Sequence, residues 1–226
     1  MAMQFIESSI VGVRSSVLTL ERRASPMRFA LFPMVHVAER SFYDEVTARV
    51  RDCALIVAEG LGEGGAPVQR RMARIRLDDL VDQTVALDLD SLGIPVFWEY
   101  ARRPPRTSAE RLTETATDSF GAIALRVLGR YGDPIHLPNL DESDDHDDRW
   151  TEGRFNRWMR DRVVDRRDEA LVRRLASVHR ECHDQPITVA VVYGAGHMPA
   201  VVEYLRGEFG YFVQDAEWLI VRNAPS

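Results

Sequence analysis

The sequence predicts an α/β fold. Its expected form is a mostly parallel central sheet, with an N-terminal hairpin and a helical insertion over the strand C-terminal edge. Three observations carry this expectation. Short apolar runs rich in β-branched residues recur at residues 54–58, 94–98 and 188–193. Amphipathic or charged segments with helical spacing separate them, an alternation typical of parallel strands joined by crossovers. The stretch from 107 to 183 is long, helix-rich and interrupted by an acidic, proline-containing loop, as an insertion over a sheet would be.

In chain order, residues 16–20 and 27–33 read as two strands around a polar turn containing Ser25 and Pro26, a hairpin that leads into His36. Residues 41–52 place Phe42, Val46 and Val50 on one helical face, with Ser41 as the expected cap. Residues 54–58 form a short apolar strand that ends at Glu59. A glycine-rich loop follows, and 70–85 reads as helical. Residues 94–98 form another strand, followed by Glu99. Residues 107–131 and 150–183 read as helix, with 132–148 the least structured part. The strand at 188–193, a helix at 198–208 and two closing strands at 209–213 and 217–221 complete a single domain over 1–226.

The chain has 226 residues, 45% hydrophobic and 28% charged, enough for one well-buried α/β domain. A formal charge of −6 favours neither nucleic acid nor an anionic membrane as partner. Cys53 and Cys182 form no framework, which suits a reducing compartment. The N-terminus lacks the basic and apolar regions of a signal peptide, and no stretch approaches the roughly 20 apolar residues that span a bilayer. A cytoplasmic location is the expectation.

The most informative segment is Thr188-Val-Ala-Val-Val-Tyr-Gly194-Ala-Gly196-His197-Met-Pro199. It reads as a buried strand, a glycine turn, a histidine and a helix opened by proline. This places His197 at the C-terminal edge of a sheet, where α/β proteins bind ligands. By itself the turn suits a structural role, a phosphate or carboxylate cradle at the helix N-terminus, or the start of a dinucleotide loop. The dinucleotide reading is disfavoured by Pro199 at the third glycine position.

His36 and Glu59 also follow predicted strands. If the three strands are neighbours, two imidazoles and a carboxylate meet at one edge, a ligand set for Zn, Mn, Fe or Co with positions left for water and substrate. Glu99 is a further acidic group at a strand end. Other groups are weaker: His179-x-x-Cys182-His183 has no second half, the acidic run around His146 lacks an EF-hand spacing, and Asp165-Arg166-Arg167-Asp168 reads as a wet helical face.

Four motifs together resemble the TraB/GumN/Tiki family. They are Pro33-Met-Val-His36-Val-Ala, Leu55-Ile-Val-Ala-Glu59, Arg167-Asp168 and Gly194-Ala-Gly-His197, in family order from about residue 16 to 212. One departure stands out: Pro33 occupies the place of a family glycine, fixing φ and removing an N–H. The resemblance implies a fold related to erythromycin esterase and ChaN-like proteins. It also implies a metal-dependent peptidase in which His36, Glu59 and His197 serve a site for Mn, Co or Zn.

On this reading Glu59 is a ligand or general base, Arg167 binds a substrate carboxylate or a developing oxyanion, and Glu99 is a reserve acid. Gly194 and Gly196 shape the ligand-binding turn. The alternative is a non-catalytic protein that sequesters a peptide or small molecule at the same edge. A homodimer is the further partner expectation, through an exposed strand edge at residues 210–213.

Overall fold

The computed structural model describes residues 4–60, 80–100 and 165–224. The strands are β1 (Ile6–Ser9), β2 (Gly12–Arg22), β3 (Ser25–Met34), β4 (Val37–Glu39), β5 (Leu55–Gly60), β6 (Leu80–Asp82), β7 (Val96–Tyr100), β8 (Thr188–Gly194) and β9 (Phe212–Asn223). The α-helices are α1 (Arg40–Val50), α2 (Gln83–Ala86), α3 (Asp165–Cys182) and α4 (Met198–Phe209). The expected α/β class is what the chain forms. A seven-stranded sheet runs β1-β2-β3-β8-β5-β7, with β9 paired to β2.

Strands β3, β8, β5 and β7 are mutually parallel, and β2 is antiparallel to both β3 and β9. Strand β8, last of the parallel four in the chain, lies between β3 and β5 and is paired on both edges. This explains its composition. A strand covered on both faces and paired on both edges reads as an unbroken apolar run, as Val189 to Tyr193 does.

The sheet is covered on both faces. On one, Phe29, Leu31, Leu55, Val57, Val189, Val191 and Tyr193 pack against Leu171, Leu175 and Val178 of α3 and Met198, Val201 and Leu205 of α4. On the other, Phe32, Ile56, Ala190 and Val192 pack against Phe42, Tyr43, Val46 and Val50 of α1. The two sets alternate along each strand, the period-2 signature that fixes register.

Several local expectations are corrected. The α1 cap is Glu39 rather than Ser41, and it makes no side-chain capping bond. Its carboxylate instead accepts from the Asn223 backbone N–H (2.7 Å) and side-chain amide (2.9 Å) of β9. Part of the expected helix at 70–85 is β6, paired with β4, followed by the single turn α2. Asp82 caps that turn by accepting from the Thr84 N–H at 2.8 Å.

The two closing strands are one strand, β9, whose polar centre Gln214–Glu217 faces solvent at the sheet edge instead of turning. Of residues 210–213, Phe212 and Val213 begin this edge strand, and Phe212 is exposed. Gly210 is the left-handed C-terminal residue of α4 (φ 71°), and Tyr211 is buried. Strand β1 was not anticipated at all.

The expected helix at 107–131 and loop at 132–148 lie outside the described residues. Of the helix-rich insertion, α3 is described, and it packs on the sheet face. Both cysteines are free, as a chain without a disulfide framework requires. No described helix is long and apolar enough to cross a membrane.

Pro33 sits inside β3, where proline would ordinarily remove a ladder bond. Pairing between β2 and β3 ends at Leu18 opposite Leu31, before Pro33 is reached. The Pro33 carbonyl accepts from the Ser15 hydroxyl at 2.6 Å. In an extended strand the ring nitrogen of the same residue faces that same side, so no ladder on that side is left for an N–H to join. The β3–β8 pairing continues to Met34 opposite Gly194.

Candidate functional site

The strand order brings the C-terminal ends of β3, β8, β5 and β7 to one edge of the sheet, with β8 central. Pro33 pairs with Tyr193, Ala58 with Val192 and Glu59 with Glu99, so these ends are level. The neighbour relation that a convergent site needs is therefore present in the topology.

Glu59 falls on the α3/α4 face because it continues the alternation of Leu55 and Val57. Its Oε2 accepts from the Gly194 N–H at 3.0 Å. A Cβ added at Gly194 would lie 3.1 Å from that oxygen and 3.5 Å from His197 Cδ2. The glycine therefore leaves the space in which the Glu59 carboxylate and the His197 ring approach one another. Its backbone is ordinary (φ −52°, ψ 138°), so steric room rather than backbone strain accounts for it. Gly196 differs: it is exposed and nothing lies within 4 Å of its Cβ position.

His197 closes a 3₁₀ turn (Ala195–His197) and opens α4. It is 8% exposed, and its ring stands edge-on to buried Tyr193 at 5.1 Å. Its Nδ1 meets Asp168 Oδ1 at 2.6 Å. A carboxylate only accepts, so Nδ1 carries the proton and Nε2 of the neutral ring holds a lone pair. This arrangement orients an imidazole for ligation or for proton transfer.

Asp168 is the residue that sequence reasoning undervalued. Inside a run of charges it read as wet surface. The available signal was its place in the Arg167-Asp168 pair. The side chain of Arg167 lies outside the described residues; its backbone is in α3. Glu99 stands on β7 beside Glu59, but its Oε1 accepts from Arg174 Nε at 2.5 Å, and the Arg174 guanidinium lies 4.8 Å from the Phe97 ring centroid. Arg174 was not anticipated.

His36 is placed differently from His197. Register pairs Met34 with Gly194, so His36 lies two residues beyond that level and His197 three. The chain after His36 enters β4, whose Ala38 belongs to the α1-face core, whereas the chain after His197 enters α4 on the opposite face. The His36 side chain is exposed, and its carbonyl accepts from the Gln83 N–H at 2.9 Å. Among the described residues no group of three or more His, Cys, Asp or Glu is close enough to hold a metal ion. His197 has no partner on Nε2 among the described residues, and with its orienting Asp168 and the Glu59 carboxylate nearby it offers donor types that a borderline divalent ion takes; His36 stands apart from them.

The anion-cradle alternative loses donors. The Gly194 N–H is taken by Glu59, the Met198 N–H donates to the Ala195 carbonyl, and Pro199 has none.

His179 is structural. Arg22 Nη1 lies 3.1 Å from its Nε2, and the Tyr211 hydroxyl lies 3.2 Å from its Nδ1. Arginine only donates, so Nε2 accepts and Nδ1 carries the proton. Burial first, then Arg22 and His183, hold this imidazole below its ordinary pKa. Compared with protein-family models, with curated proteins and with solved structures, the chain has no match.

Proposed function

We propose that the chain is a metal-dependent hydrolase that cleaves a peptide or related amide at the C-terminal edge of its parallel sheet. The observation that carries this reading is the Asp168–His197 contact beside the Glu59 carboxylate, at the edge where the three motif-bearing strands end. The resemblance to the TraB/GumN/Tiki family supports it.

His197 through Nε2, Glu59 and His36 are the residues that would hold Mn, Co or Zn. Such an ion polarises an amide carbonyl and acidifies a bound water. Asp168 keeps the His197 tautomer fixed. In place of ligating the ion, Glu59 would serve as the general base that takes the proton of the bound water. Arg167, the residue before Asp168, is the candidate donor to a developing oxyanion.

The test is calorimetric titration with Mn, Co and Zn, run beside a peptide hydrolysis screen, on the native chain and on His197→Ala, His36→Ala and Asp168→Asn. The expected result is one bound ion, lost in His197→Ala and weakened roughly 10–100-fold in Asp168→Asn, the usual cost of removing a carboxylate that orients a ligand histidine. No binding, with no activity difference among the variants, would overturn the reading. Tight peptide binding without turnover in any metal would select the sequestering protein instead.

A further inference from the structure

At the opposite end of the sheet the β2–β3 hairpin turn meets the end of α4 and the start of β9. Between them lies a solvent-open depression of about 480 Å³, lined by Arg22, Arg23, Ala24, Phe209, Gly210 and Phe212. That volume is in the range of small-molecule sites.

Three features of its lining act together. The first is charge. The Arg22 guanidinium is half-buried, and its one partner among the described residues is the uncharged Nε2 of His179. Neighbouring Glu21 is held by Arg28 at 2.7 Å, so it does not neutralise the pair. Arg23, exposed beside Arg22, has no carboxylate partner among the described residues.

The second feature is an ordered aromatic wall. Phe209 stacks on His179 with ring centroids 4.1 Å apart and meets Tyr204 edge-on at 5.7 Å, which holds its ring in place. Phe212, the first residue of β9, is 43% exposed, a large apolar side chain left in water. The third is room. Gly210 has nothing within 4 Å of its Cβ position and adopts a left-handed conformation that ends α4 without a side chain. The C-terminal carbonyls of α4 are met by the Gly210 N–H, donating to Arg206, and the Tyr211 N–H, donating to Leu205. The arginines are therefore not needed to cap that helix.

We infer that this depression is a binding site for a small aromatic anion, a molecule with one carboxylate, sulfonate or phosphate on a flat apolar ring. Arg22 and Arg23 take the anion through their forked donors, and Phe209 and Phe212 take the ring. Arg22 is pre-placed for this by His179, so little side-chain entropy is lost on binding. The site is separate from the His197 edge and does not depend on hydrolase activity.

The experiment is a titration of the full chain with 1-naphthalenesulfonate, 1-naphthalenemethanol and inorganic phosphate, followed by calorimetry and by the ring resonances of His179. One equivalent of naphthalenesulfonate should bind and move the His179 resonances. The neutral alcohol and phosphate alone should each bind at least about tenfold more weakly, the loss expected when a charge-assisted hydrogen bond or a buried ring is withheld. Arg22→Gln and Phe212→Ser should weaken binding by a similar factor. Arg23→Gln, at an exposed position, does so without disturbing the His179 contact. Equal affinity for the neutral alcohol, native affinity in Arg23→Gln and Phe212→Ser, or no binding of naphthalenesulfonate below about 1 mM would each overturn the inference.

Discussion

Gly194 shows how a single missing side chain organises the candidate site. A methyl group there would sit 3.1 Å from Glu59 Oε2, tighter than ordinary carbon–oxygen contact. Gly194→Ala should therefore shift the carboxylate off the Gly194 N–H and cost about 1 kcal/mol, the usual worth of one such hydrogen bond. Gly196→Ala meets no neighbour and should cost little. Urea denaturation of both variants measures the contrast; equal losses would contradict the steric account.

His179 makes a pH prediction with a definite sign. Its folded pKa lies below the ordinary 6.5, chiefly through burial and then through Arg22 and His183. The unfolded chain thus takes up a proton that the folded chain resists. The cost of that resistance is absent well above pH 6.5 and grows as pH falls through 6.5 toward the folded pKa. Stability should decline over that acid window, and His179→Phe should flatten the decline. A decline of the same size in the variant would remove His179 as its cause.

At the scale of elements, the strands and helices that carry strong periodicity were legible in the sequence. The β2–β3 hairpin, α1, β5, β8 and α4 stand where the apolar spacing put them, within a few residues. The misreadings share a physical cause. Strand β9 is a sheet edge with one face largely in water, so its polar centre looked like a turn. Strand β6 is three residues long, too short to show a period. The α1 cap could not be read because Glu39 is claimed by a residue 184 positions away.

The end of α4 was clearer, since Gly210 follows the last apolar residue of the helix. Gly210→Ala forces φ of 71° on a residue with a side chain and should cost about 1 kcal/mol. Thermal denaturation checks this. An unchanged midpoint would mean that the chain ends α4 equally well in another way.

For the whole molecule, the sequence showed which strand ends carry histidine and glutamate but not which strands lie side by side. That ordering depends on β8 inserting between β3 and β5, a long-range pairing that leaves no local mark on either partner. For the same reason Asp168 looked like surface: only the packing of α3 beside α4 turns it toward His197.

The position of β8 also bears on how the protein is made. Strands β3 and β5 emerge from the ribosome well over a hundred residues before the strand that joins them. Until Thr188–Gly194 is synthesised, their facing edges hold unpaired backbone groups and their apolar faces lack α4. A chain ending at residue 187 should therefore fail to form the sheet. It should be protease-sensitive, whereas the full chain should show a resistant core; equal resistance would show that the N-terminal portion folds alone. In the cell, β3 and β5 therefore wait unjoined until the end of synthesis, and Gly194 and His197 are added in the same short stretch that joins them.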